Sequence, residues 1–119
     1  MVGLSRSGTK DEHSGVRQEF EAFQRRTFPE AGESPELIDW LADFAEVDGY
    51  YAGLISSALA GTKVDLDTAQ LNAMLLRLSE IANGVTQADK AALEYSKRYA
   101  EDLLHLALIT RGAIDADRS

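Results

Sequence analysis

Arg98 and His105 are the two side chains in this sequence best suited to phosphodiester chemistry. An imidazole titrates near neutral pH and can carry a proton, and a guanidinium can hold a phosphate. They stand seven positions apart, so on a helix they share one face, about two turns from each other. Asp102 and His105 have the Asp-x-x-His spacing of a helical metal-ligand pair. A di-metal bundle needs two such pairs and inward-facing glutamates, and this chain has only two histidines. It has no nucleophile motif and no glycine-rich phosphate loop. The expectation is no metal site and no cofactor.

The spacing of Arg98 and His105 resembles the Arg-x(4–6)-His signature of HEPN-type RNases, small helical bundles that carry the pair on a late helix. The resemblance implies proton transfer by His105 and phosphate binding by Arg98 at a dimer interface. Tyr99 stands where that signature often has Asn or Asp, and Glu101 and Asp102 would repel RNA. The competing reading is a surface histidine paired with Glu101 one turn earlier. This second reading is preferred, so the chain is expected not to be an enzyme. Glu33 and Glu36 are similar to the first acidic pair of all-α nucleotide pyrophosphohydrolases, but the second pair is missing from the next helix.

Asp48 stands alone as an acid on an apolar helix face, between Leu41, Phe44, Tyr51 and Ile55. Burying an unpaired carboxylate is costly. Asp48 should therefore have a hydroxyl partner or a raised pKa. A bonded core aspartate is preferred to a catalytic acid.

These residues point back to a long central helix, from Pro35 to Ala60. Ser34 is its expected N-cap, Pro35 fits the first helical position, and Gly61 supplies a left-handed stop. Stepping 100° per residue sorts the helix into three stripes. Leu37, Leu41, Phe44, Tyr51, Ile55 and Leu59 form a core face. Ala42, Ala45, Gly49, Gly53, Ser56 and Ala60 form a stripe of small residues, expected to let another helix approach closely. Glu36, Asp39, Asp43 and Glu46 form an acidic row ending at Tyr50. These five are the expected partner-binding residues. An aromatic beside charges is a common binding hot spot, and a row of one charge sign steers an oppositely charged partner.

The charge distribution supports that reading. The net charge is −8, and between Thr27 and Thr62 there are seven acids and no Lys or Arg. This argues against direct nucleic-acid or anionic-membrane binding and suits a basic protein partner. No Cys is present, which excludes disulfides and thiolate metal sites. No apolar run resembles a signal peptide or a membrane span, so a cytoplasmic location is expected. The preferred function is an acidic protein-binding module of the inhibitor, immunity or nucleic-acid-mimic type. The alternatives are the RNase described above and a helical homo-oligomer with a structural or regulatory role.

Around the central helix the pattern predicts three more. Residues 1–13 read as a disordered tail and Ser14–Phe28 as a short first helix. Asp67, Gln70, Leu66 and Leu71 mark the start of a third helix near Thr68, which Asn83-Gly84 ends. A fourth runs from Thr86 to about Arg111, and residues 113–119 form a polar tail. The expected fold is an all-α four-helix bundle, mainly antiparallel, as a single domain over residues 14–112. A homodimer is expected from surplus apolar surface: Leu76 with Ala69 and Ala73, the Leu103–Ile109 segment, and the small-residue stripe.

Overall fold

A computed structural model describes residues 3–118, with side chains described from Ser14 to Asp115. The protein is all-α. Its four helices are α1 (Gly3–Gln24), α2 (Pro35–Leu59), α3 (Ala69–Ile81) and α4 (Lys90–Arg118), and two short 3₁₀ turns, Ala82–Gly84 and Gln87–Asp89, link α3 to α4. Among the described residues there is no strand.

The start of α2 follows from local chemistry. Pro35 occupies the first turn, and Ser34 Oγ accepts from the Leu37 N–H at 3.3 Å. One otherwise unpaired N–H at the helix start is thereby satisfied. At the other end Gly61 takes a φ of +93°, a conformation that costs an L-residue with a side chain. Ahead of α3, Asp67 Oδ1 accepts from the Ala69 N–H at 2.7 Å, and Leu66 and Leu71 are both buried.

The two terminal helices are longer than the pattern predicts. α1 begins at Gly3 rather than Ser14, which leaves α3, at 13 residues, as the shortest of the four. No proline precedes Pro29. A turn anchored by buried Val16, Phe20 and Phe23 can therefore propagate backwards, because adding a residue costs far less than nucleating a helix. α4 passes through Gly112 to Arg118, and buried Ala113 with partly buried Ile114 joins the core beyond that glycine. This packing offsets the roughly 1 kcal/mol that glycine costs inside a helix.

α4 is the hub, packing against α1, α2 and α3. Along the α1–α4 seam residues pair in opposite order: Glu19 faces His105, Phe23 lies against Tyr99, and Tyr95 reaches Thr27. At the junction of α1, α2 and α4, Phe23, Phe28, Phe44 and Tyr99 make tilted and edge contacts, with Trp40 stacked on Phe44 at 4.7 Å. The Trp40 indole N–H donates to the Met74 carbonyl at 2.8 Å, which ties α2 to α3 through an otherwise apolar wall. The loop before α2 docks on the start of α4, where the Glu33 N–H donates to Asp89 Oδ1 at 3.3 Å. Gly32 has φ +65°, and a Cβ there would lie 2.2 Å from that carboxylate oxygen, so the position requires glycine.

Candidate functional site

The face of α2 turned away from the core carries the candidate site. Its inner face is filled by Leu37, Trp40, Leu41, Phe44, Tyr51, Ile55 and Leu59, all buried. The remaining positions of a 3.6-residue repeat must then face outwards. Ala42, Ala45, Gly49, Gly53, Ser56 and Ala60 are all exposed. A Cβ built on Gly49 or Gly53 meets nothing within 4 Å. Among the described residues no helix takes the close approach expected at this stripe. α3 and α4 are drawn instead to the larger apolar stripe, where more surface leaves water.

Beside the bare stripe, Glu36, Asp39, Asp43, Glu46 and Tyr50 are all exposed. Their surroundings differ. Glu36 Oε2 accepts from Ser34 Oγ at 3.3 Å at the helix start, where the dipole favours an acid. Asp43 is bridged by Arg77 of α3 at 2.6 Å, with side chains 59 % and 41 % exposed. An ion pair so exposed contributes between zero and about 1 kcal/mol. Asp39 and Glu46 have no ion-pair partner among the described residues. Tyr50 is 52 % exposed, its ring set edge-on to Tyr51 at 5.4 Å. Tyr51 is in turn fixed by its hydroxyl, which donates to the Asp67 carbonyl at 2.6 Å. Among the described residues the row thus has two carboxylates without an ion-pair partner, one bonded to Ser34, one shared with Arg77, and an aromatic braced from behind.

Asp48 has the partner its position demands. The Tyr99 hydroxyl donates to Asp48 Oδ2 at 3.3 Å. Burial pushes the Asp48 carboxyl up, partly offset by that bond. Burial also raises Tyr99, and the neighbouring carboxylate adds to the shift. The pair joins α2 to α4 at the edge of the aromatic junction.

Arg98 and His105 are both exposed, but the structure gives them different surroundings. His105 Nε2 faces Glu19 Oε1 of α1 at 3.8 Å, not Glu101 of its own helix. It lines an open α1–α4 groove with Phe23, Arg26 and Asp102, and Arg98 is not part of that lining. The cation in the groove is Arg26. Its guanidinium lies 5.3–5.6 Å from the rings of Phe23, Tyr95 and Tyr99 and is ion-paired with Asp102. Partial burial pulls the Arg26 pKa down, but hydrogen bonds to Asp102 and Tyr95 outweigh this and hold it raised. Asp102 is therefore engaged away from His105. Among the described residues no group of three or more His, Cys, Asp or Glu could hold a metal ion.

The sequence alone did not single out Arg26, Arg77 or Asp89. Each acts on a residue dozens of positions away, so no local spacing marks it. The chain matches no known protein family, no curated protein and no solved structure. None of the helices, over the described residues, is long and apolar enough to cross a membrane.

Proposed function

We propose that this protein is a non-enzymatic, cytoplasmic binding module that presents the outer face of α2 to a basic protein partner. The observation that supports the reading is that, among the described residues, exposed Asp39 and Glu46 have no ion-pair partner and share their helix with an exposed stripe of small residues. Free carboxylates attract a cationic surface from a distance, and small side chains let a partner's backbone come close. Tyr50 supplies an apolar anchor at the end of the row. The resulting surface suits inhibitors, immunity proteins or nucleic-acid mimics.

The experiment is affinity capture from the native host, followed by binding measurements with the captured protein. Replacing Asp39, Asp43 and Glu46 by Asn, Asn and Gln should weaken association and flatten its salt dependence, mainly through the on-rate. Tyr50→Ala should instead speed dissociation. Unchanged binding by the triple variant would reduce the row to a solvated face. On the same reading, Arg98 and His105 cut no RNA. Cleavage of structured or single-stranded RNA that is lost in His105→Ala would put the RNase reading first.

A further inference from the structure

The face opposite in character to the acidic row lies on α3 and α4. Leu76 of α3 is 63 % exposed, the most exposed of the large apolar side chains among the described residues. It stands at a groove of about 420 Å³ between α3 and α4, which it lines together with Leu75, Leu78, Ala82 and Leu93. The same surface thus carries a projecting leucine and an apolar slot. The homodimer expected from sequence rested partly on Leu103–Ile109, where Leu103, Leu106 and Ala107 are buried in this chain's own core and Leu108 alone of the apolar side chains is exposed. Of the three surfaces behind that expectation, two remain broadly uncovered among the described residues: the α3–α4 groove and the small-residue stripe of α2.

Electrostatics separates them. A contact between two copies of the α2 face would join surfaces that each carry Asp39, Asp43 and Glu46 and, from Thr27 to Thr62, no Lys or Arg, and like charge opposes association. The α3 face has no such conflict. α3 carries one charge of each sign, Arg77, which is turned to Asp43, and exposed Glu80. The α4 wall of the groove offers both signs, Glu94, Lys97 and Glu101. Lys97 makes no ion pair among the described residues, although carboxylates stand three and four positions from it. A two-fold axis places identical surfaces face to face. A surface with a knob, a slot, a free ammonium and carboxylates can satisfy itself in that arrangement. We infer that the α3–α4 groove is a self-association surface, in which Leu76 of each copy enters the other's groove and Lys97 meets a carboxylate of the other copy's α4. The interface uses no residue of the acidic row, and it does not depend on the function proposed above.

The test is sedimentation velocity on the full chain, from about 1 to 200 μM, without any partner. The wild-type protein should form a reversible dimer. Leu76→Glu should weaken it by roughly 100-fold or more, the scale set by losing a buried leucine and burying a carboxylate. Ala45→Glu, on the exposed stripe of α2, adds the same charge per chain and should leave the dimer intact. Leu76→Ser, with circular dichroism unchanged, separates loss of contact from loss of fold and should also give monomer. A wild-type monomer throughout the range, a dimer insensitive to both Leu76 substitutions, or a dimer dispersed by Ala45→Glu would each overturn the inference.

Discussion

The two faces of α2 obey different rules although they share one backbone. On the inner face each large side chain has an assigned contact. Trp40 is stacked on Phe44 and bonded to the Met74 carbonyl, and Tyr51 is bonded to Asp67. On the outer face the glycines meet nothing, and two carboxylates have no partner among the described residues. Folding explains the first face completely. It does not explain the second, where glycine lowers helix stability and neighbouring acids at three- and four-residue spacing repel. A feature that costs stability and packs against nothing inside the chain is best understood through something outside it. That asymmetry is what supports the proposed role of the outer face.

The inner face should therefore be the one that cannot be cut back. Trp40→Ala removes the largest fully buried side chain, together with its ring stacking and its bond to α3. The expected loss is about 3–5 kcal/mol, a large part of a small domain's stability. Urea unfolding followed by circular dichroism should show the midpoint collapsing. A loss under about 1 kcal/mol would mean that the junction is looser than its contacts imply, and the contrast between the faces would fail.

Asp48 is the exception on the inner face, and pH can expose it. Its folded pKa is raised by burial, so the folded chain holds the proton more tightly than the unfolded one. Such a group adds stability below its unfolded value, near 4, and that stability is lost as pH rises through the folded value. Asp48→Asn keeps an acceptor for Tyr99 and removes the charge. It should be more stable than wild type at pH 7 by less than about 1 kcal/mol, since the group is only half-buried. The advantage should shrink as pH falls through the raised value and vanish below about pH 4. Tyr99→Phe should act the other way, costing about 1–2 kcal/mol at pH 7 because the carboxylate loses its donor. Thermal melts of both variants from pH 3 to pH 8 check the signs. An Asp48→Asn advantage that grew in acid would contradict the placement of this carboxylate.

What could be seen in the sequence follows from how local each cause is. Ser34, Pro35 and Gly61 act within a few residues, and all three do what their types require. Asp48 betrayed its need for a hydroxyl, because an acid flanked by Phe44, Tyr51 and Ile55 has no cheap alternative. That the donor would be Tyr99, 51 positions away, depends on how α2 lies against α4, which no spacing records. The same holds for Arg77 on Asp43 and Glu19 on His105. Gly112, which follows the expected end of the fourth helix at Arg111, misleads for a different reason. Glycine permits a helix end but does not compel one, and the packing of Ala113 decides the matter.

The smallest expected effect is the sharpest test of the outer face. Gly49 and Gly53 lie inside α2, and an added methyl at either meets nothing within 4 Å. Neither has the positive φ that only glycine tolerates well. Gly49→Ala should then stabilise the free protein by about 0.5–1 kcal/mol, mostly by restricting the unfolded chain. Gly53→Ala should do the same, and the two should add if nothing packs there. Binding should move in the opposite direction. If a partner lies close over the stripe, each methyl holds its backbone away and loses contact along the helix, so affinity should fall while the melting temperature rises. Melting curves of the free variants and binding to the captured partner give the two readouts separately. A drop in melting temperature would mean that the chain itself needs these glycines. Tighter folding with unchanged binding would remove the stripe from the working surface and leave the acidic row to act alone.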